Sequence, residues 1–569
     1  MPVIVVGLFL LFFFLVSLTA ALKKSPTFDE SVHLYAGYSY LKWGDYRVNP
    51  EHPPLAKLLA AVPLMTLNLE TRSVSPTARD LVQQNTFHGW GLANRFIYVD
   101  NDAETLFFYS RLVMIALALT LGLSVFFWTR ELYGFEAAII ALFLYCFDPN
   151  ILAHSSIVQT DIPFAVFFFT STYFFWRSLN ELTWFNLMMM ALLFALATIT
   201  KFSFLAILPI WIVLGGVKVV TSESFRSRIT SPSIIVGHGK KCVLLSSVLL
   251  CAMVTAYLTI WTVYQFRFDA VALQRGQLPI DDLSASGAWT QLLLRLSLDF
   301  FILPEALVSG LFAAYTSIER AAYLLGEISN NGFLAYFPIA FLVKTPLPVV
   351  LLVLSAAGWT LSGRNTRDAY FFVIPAVVFF LLAVVSRMNI GLRHILPIYP
   401  FLFVWLGGVA GSMWRSGRRL GKCFPVFCLI WLAAGTAATY PNYLAFFNEF
   451  ATAPKKAIEF LVDSNLDWGQ DLKELKKWMN ANSIGTIQLA YFGTAEPSYY
   501  GIDAVYLPGT TLPSGPTLSS LSPKTGYVAI SATHLVGLYL DDRDTYSEFR
   551  NLEPVTIIGN SIWVYRLKY

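Results

Sequence analysis

The sequence predicts a mainly α fold: a polytopic membrane helical bundle of about eleven spans, with outer juxtamembrane helices and a C-terminal soluble α/β domain. Three observations predict it. Of 569 residues, 56% are hydrophobic and only 13% charged, about half the roughly 25% charged share of soluble domains. The apolar residues gather in runs with charged borders, long enough to cross a hydrocarbon core of about 30 Å. From residue 441 onward the texture changes and no long apolar run follows. A chain with so few polar side chains cannot cover a globule in water, so its solvent is largely lipid.

The runs lie near residues 2–22, 106–128, 135–150, 158–176, 184–200, 202–217, 243–265, 345–361, 369–385, 395–414 and 423–440. Polar residues from Asp148 to Asp161 separate the third from the fourth. No basic residue precedes the first run, which is also longer than a typical signal core, so it is expected to be an uncleaved first helix. With the N-terminus cytoplasmic, the inner loops are 129–134, 177–183, 218–242, 362–368 and 415–422. They hold Arg130, Arg177, Lys218, Arg226, Arg228, Lys240, Lys241, Arg364, Arg367, Arg415, Arg418, Arg419 and Lys422, whereas the short outer turns hold Lys201, Arg387 and Arg393. The positive-inside bias then orients the chain. Residues 1–440 form the membrane domain, its outer loops being 23–105 and 266–344, and 441–569 form an outward-facing domain.

That tail reads as a small soluble module. Asp471 to Asn480 has helical spacing, and residues 486–492, 527–531 and 561–567 read as strands. Gly and Pro cluster between 508 and 523, which marks a loop. Roughly 130 residues suffice for a core of their own. The five cysteines contain no C-x-x-C pair, so neither a zinc site nor a disulfide framework is expected. No N-x-S/T sequon occurs, which suits a bacterial inner membrane with the tail in the periplasm. A formal net charge of +4 is small and says little about partners; no nucleic-acid partner is expected.

Ionisable groups at membrane depth are functional suspects, because each is costly to insert. Here the runs are nearly free of them, and the polar residues collect at the outer surface. Thr27 followed by Glu30 has the spacing of a capping box, so a helix is expected to start there with Asp29 and Glu30 in its first turn. His33 lies four residues after Asp29, on the same face. Both acids have a purely structural reading, as a cap and as a complement to the helix dipole. The segment Asn49-Pro50-Glu51-His52-Pro53-Pro54-Leu55-Ala56-Lys57 forces an extended approach and a sharp helix start, which places His52 and Lys57 at the junction. Asp161 precedes a proline-led apolar run, where a helix-end marker is the plain alternative. Lys201, Lys344, Arg387 and Arg393 run against the orientation bias. A single such cation snorkels to headgroups, but four of them on one side suggest an anion such as phosphate.

At these same residues the chain resembles a known family. The Asp29-Glu30 pair, His-Pro-Pro-Leu-x-Lys from His52 to Lys57, Thr-Asp-x-Pro from Thr160 to Pro163, and Arg-His-x-Leu-Pro-x-Tyr-Pro from Arg393 to Pro400 are together similar to the C-fold glycosyltransferase superfamily. Within that superfamily they look like the protein O-mannosyltransferases and the bacterial aminoarabinose transferases. The resemblance covers roughly residues 1–440. It implies an inverting membrane glycosyltransferase of the hexosyl or pentosyl class. The donor would be a polyprenyl-phosphate-linked sugar, and the acceptor a hydroxyl or phosphate on a lipid, glycan or protein. Carried onto this chain, Asp29 is the general base, with Glu30 beside it, and Asp161 a second acid that positions the acceptor or an active-site group. Lys57, Lys201, Lys344 and Arg393 would bind the donor phosphate, and His33 and His52 line the acceptor pocket. Enzymes of this superfamily that use lipid-phosphate monosaccharides generally need no cofactor, so none is expected, although the residue spacing leaves a divalent metal open. The α/β tail departs from the β-trefoil inserts of eukaryotic protein mannosyltransferases. Its segments Asn442 to Glu449 and Asp463 to Leu472 look like those of bacterial members with no assigned activity.

Two other classes fit parts of the pattern. A lipid-linked substrate transporter or flippase would share the spans and an outer anion site, but it is expected to hold acids or histidines at mid-membrane. A non-catalytic envelope scaffold would keep the acids only as helix caps.

Overall fold

The computed structural model describes residues 2–71, 74, 89–229, 232–270, 288–316, 320–364, 368–417, 419–451, 454–510 and 526–567. Arg367, Arg418 and most of the Gly/Pro loop expected over 508–523 lie outside them. Each apolar run is helical: Pro2–Lys23, Ala103–Tyr133, Phe135–Cys146, Asp161–Asn180, Trp184–Thr198, Ile207–Thr221, His238–Val263, Leu347–Leu361, Tyr370–Val385, Tyr399–Arg415 and Arg419–Thr439. Six described helices are long and apolar enough to cross a membrane. The number is seven if the pair Tyr336–Lys344 and Leu347–Leu361, bent by 113°, is one broken span. Length sets most of the remaining helices apart, whereas the 20-residue Asp161–Asn180 falls short in apolar composition. The 12 residues of Phe135–Cys146 extend only about 18 Å at 1.5 Å each, against a core of about 30 Å.

The helices alternate between two ends of the bundle. At one end Arg177 lies 3.8 Å from Glu131, Lys218 lies 3.7 Å from Asp368, and Arg415 lies 3.9 Å from Glu136. These are residues of the cation-rich loops. At the other end lie the start of Asp161–Asn180, the end of Trp184–Thr198 and the lead-in to Tyr399–Arg415. That last helix runs through the centre and is buried continuously from Tyr399 to Gly411. It packs closely on Phe135–Cys146: a Cβ on Gly407 would come within 2.7 Å of the Ala137 carbonyl. Such small-residue contacts let helix backbones approach in lipid. By contrast Pro2–Lys23 leaves Val3, Ile4 and Leu8 exposed, and His238–Val263 leaves Val243, Leu250 and Val254 exposed, an apolar surface suited to acyl chains.

Beyond the first helix, Glu30–Trp43 lies against Leu55–Ala61. The expected helix start is in place: the Thr27 N–H donates to Glu30 Oε2 at 2.7 Å. The tail carries a five-stranded sheet. Thr486–Ala490 pairs in parallel with Asp503–Tyr506 and with Gly526–Ser531, and Ile562–Leu567 pairs antiparallel with Gly526–Ser531 and with Thr556–Ile558. Helix Leu472–Ala481 buries Leu472, Leu475 and Met479, the one-sided stripe of a packed amphipathic helix. The strands Asp503–Tyr506 and Thr556–Ile558 were not expected. Each is an edge strand of three or four residues, too short to show an alternation.

The tail does not stand apart from the bundle. Lys24, at the end of the first helix, pairs with Asp471, and the Ser25 and Phe28 N–H groups donate to the Gln470 and Trp468 carbonyls at 3.0 and 2.9 Å.

Gly37 tests the outer helix pair. A Cβ there would lie 2.0 Å from the Lys57 carbonyl oxygen. Alanine gains about 1 kcal/mol of helix propensity, but overpacking against backbone costs about 1–3 kcal/mol, so the clash prevails. Gly37→Ala is expected to lower the thermal midpoint of the detergent-purified protein. Gly7→Ala, which meets nothing within 4 Å, should leave it unchanged.

Candidate active site at the helix mouths

Four charged residues from distant segments meet in one line. Arg393 Nη1 donates to Asp29 Oδ2 at 3.1 Å and lies 3.9 Å from Asp161 Oδ2, and Asp161 Oδ1 pairs with Lys201. The elements dictate this meeting. Asp29 stands immediately before helix Glu30–Trp43, but its carboxylate makes no cap hydrogen bond and points to Arg393 instead. Asp161 opens Asp161–Asn180, and Lys201 follows Trp184–Thr198, the antiparallel neighbour of that helix. Arg393 sits on a 3-10 turn, Leu392–Ile398, ahead of the central helix. Asp161 and Lys201 are buried, whereas the Asp29 side chain is 24% exposed.

Asp29 and Arg393 face a cavity of about 400 Å³ between the helix mouths and the tail, within the size range of small-molecule sites. Glu51 and Arg320 line it from the outer loops, and Asp463, Trp468, Phe492, His534 and Tyr539 from the tail. Phe492 stacks between Phe28 and Tyr539, with centroids 5.2 and 5.6 Å away. The Arg393 guanidinium lies over the Trp468 ring at 4.2 Å. Asp463 holds a left-handed backbone (φ 56°) and accepts from the Tyr539 hydroxyl at 2.6 Å. Burial pushes its carboxyl up to about 6 and raises Glu51 as well, and it lowers His534 to about 4. Arg393 Nε, Asp161 Oδ2 and His394 Nε2 are buried without a hydrogen-bond partner among the described residues. Such groups are costly, and of the three residues Arg393 lines the cavity.

The other expected site residues have different surroundings. Glu30 is fully buried and accepts from Arg111 Nε at 3.0 Å, Arg111 Nη2 at 2.9 Å and the Val158 N–H at 3.1 Å. With the Thr27 contact its lone pairs are engaged, and it ties the loop to Arg111 and Val158. Lys57 donates to the Asn49 and His52 carbonyls, and burial lowers it to about 7. Lys344 donates to the Leu444 and Asn465 carbonyls at 2.8 and 2.5 Å. Backbone oxygens therefore take the place expected for a phosphate at both lysines. His33 Nδ1 lies 3.1 Å from the Val158 carbonyl, and the His33 and His52 rings meet edge-to-face at 5.9 Å. Burial brings His33 down to about 4 and depresses His52 too, so both are neutral, and neither lines the cavity. Arg387, grouped with the outer cations, offers its backbone carbonyl close to Gly332. Among the described residues no three His, Cys, Asp or Glu side chains converge as a metal ion would require.

Sequence reasoning missed the tail's share of the site and the Glu30–Arg111 pair. One signal was present. Asp463 to Asp471 is polar at six positions (Asp463, Ser464, Asn465, Asp467, Gln470, Asp471), and the structure buries all six.

Residues 104–245, about a quarter of the chain, match the family model for dolichyl-phosphate-mannose-protein mannosyltransferase. That stretch includes Asp161 and Lys201. Comparison with curated proteins gives no match. Among solved structures, ArnT from Cupriavidus metallidurans bound to undecaprenyl phosphate is 11% identical, covering 98% of this chain and 97% of that one, at a TM-score of 0.47. The Archaeoglobus fulgidus oligosaccharyltransferase in the apo form is 14% identical over 84% of this chain and 58% of that one, at 0.41. The S. cerevisiae protein O-mannosyltransferase Pmt1-Pmt2 complex bound to the sugar donor is 13% identical over 49% and 35%, at 0.35. All three scores fall below 0.5. The chain thus resembles the C-fold glycosyltransferases in its site motifs and in the matched family model.

Removing the Glu30 charge separates the two acids. Glu30→Gln leaves Arg111 buried without its counter-charge, a loss of about 3–5 kcal/mol for broken buried pairs. Purified Glu30→Gln should show a much lower thermal midpoint, and whatever folds should keep measurable activity.

Proposed function

From this resemblance and the site geometry, we propose that the protein is a membrane glycosyltransferase. It would transfer a sugar from a polyprenyl-phosphate carrier to an acceptor hydroxyl at the membrane surface. The observation that carries the reading is the direct contact of Asp29 with Arg393 at the edge of the cavity, backed by the buried Asp161–Lys201 pair.

The chemistry follows from what each group offers. A hydroxyl is a poor nucleophile, and Asp29, the more accessible of the two acids, takes its proton as the new bond to the sugar forms. The bond from the anomeric carbon to the phosphate oxygen breaks in the same step. A phosphodiester with one negative charge becomes a phosphomonoester with two, and the acceptor's proton ends on Asp29. Arg393 supplies donors where that second charge grows, in a partly dry site where they act more strongly than in water. Lys201 contributes through Asp161, which holds Arg393 from behind. A single displacement of this kind inverts the anomeric centre. Neutral His33 and His52 add no charge to the phosphate side.

The cation-rich loops would lie in the cytoplasm and the tail in the periplasm of a bacterial inner membrane. Of five free cysteines, Cys242 and Cys423 are exposed, and both stand on helices that start from those loops. In intact cells an impermeant maleimide should modify a Ser498→Cys tail variant and spare Cys242 and Cys423 until the membrane is opened. The reverse pattern would invert the assignment.

Asp29→Asn should remove about 10²–10⁴-fold of the transfer rate, the usual share of a general base, at an unchanged protein level. Mass spectrometry of lipid-linked sugars in a deletion strain supplies the readout. The wild-type gene should clear the accumulated carrier-bound sugar, and Asp29→Asn should not. Clearance at the full rate by the variant would defeat the proposal.

A further inference from the structure

The tail segment Asp463 to Leu472 touches both halves of the site. Ser464 Oγ donates to the Ile390 carbonyl at 2.5 Å, and the Leu392 N–H donates to Asn465 Oδ1 at 2.9 Å, both on the backbone that leads into Arg393. The approach is close: a Cβ on Gly391 would lie 2.1 Å from Ser464 Oγ. On the other side the Trp468 carbonyl accepts the Phe28 N–H at 2.9 Å, one residue before Asp29. Lys344, at the mouth of its helix, donates to the Asn465 carbonyl and so fastens the same segment. Between these anchors the Trp468 indole, 2% exposed, lies under the Arg393 guanidinium at 4.2 Å.

We infer that this segment is a working part of the transfer site, with Trp468 as the positioning residue that holds Arg393 ready for the carrier phosphate. The inference rests on the glycosyl-transfer reading and deepens it. To take the acceptor's proton, Asp29 gives up its contact with Arg393 Nη1, and the guanidinium, whose Nε has no partner among the described residues, loses that anchor. An ion pair fixes a guanidinium only while it lasts. An aromatic face attracts the cation through its quadrupole, whichever N–H groups are occupied. Trp468 therefore keeps the guanidinium aimed through the exchange, while its carbonyl holds the turn that carries Asp29. One residue sets the distance between base and phosphate anchor.

The test uses the full chain in phospholipid nanodiscs, with undecaprenyl phosphate as the probe and undecaprenol as the uncharged control. Trp468→Ala should weaken phosphate binding about two- to thirtyfold, the span of a cation–π contact from exposed to desolvated settings. Trp468→Phe should recover most of it. In an Arg393→Ala background the Trp468→Ala change should cost nothing further, because the contact it serves is already gone. A merely structural role would add its loss in both backgrounds. If Trp468→Ala fails to fold, Trp468→Leu, which keeps bulk without a π face, takes its place with the same expectation. Binding by Trp468→Ala equal to wild type, or a full additional loss in the Arg393→Ala background, would overturn the inference and leave the transferase reading standing. A wild-type protein that does not distinguish undecaprenyl phosphate from undecaprenol would remove both.

Discussion

A charge at the rim of an apolar bundle has to find its counter-charge inside the protein, because lipid supplies none and water is scarce. Asp161 and Lys201, both nearly inaccessible, meet this requirement in each other, and Arg393 meets it twice, in Asp29 and Asp161. A lone ion transferred to such surroundings costs several kcal/mol even after relaxation. The helix ends that bear these residues are consequently held together by them. The same pairing that makes the mouths converge produces a guanidinium with carboxylates on either side and an unused Nε. Fold and chemistry share a single electrostatic demand.

Much of this was legible in the sequence, for a physical reason. In a chain with 13% charged residues, ionisable groups at the ends of apolar runs have few places to go. Asp29, Asp161, Lys201 and Arg393 were marked by position together with the family resemblance, and the structure brings these four together. Lys57 and Lys344 were marked by the same rule, yet both are satisfied by backbone carbonyls. A carbonyl leaves no trace in the sequence, so a cation at a helix mouth cannot declare whether an acid, a ligand or the main chain will meet it. The tail's part was hidden differently. Trp468 is separated from Arg393 by 75 residues and from Asp29 by more than 400, and no local pattern predicts such a meeting. Its strands were legible where alternation ran for five or six residues, and not where edge strands stop after three or four. Each apolar run proved helical, and six or seven of the described helices pass as membrane crossings by length and composition.

The neighbouring acids at 29 and 30 show how the arrangement becomes specific. Consecutive residues on a helix point about 100° apart, so one of two adjacent acids faces the bundle when the other faces the cavity. Glu30 turns inward and is tied by Arg111, Thr27 and the Val158 N–H. Arg111 in turn donates to the carbonyls of Ala21 and Lys24, so this one pair anchors the end of the first helix, the start of the next and the approach to Asp161. A carboxylate bound so completely has no remaining capacity to move a proton. What it provides is a fixed backbone at the next position, where Asp29 can stay partly solvated and hold a single, exchangeable contact. A base must release its partner to work, and a loop that depended on that contact for its own shape would deform when the contact broke. Assigning the structural load to Glu30 leaves Asp29 free to change partners without moving the chain.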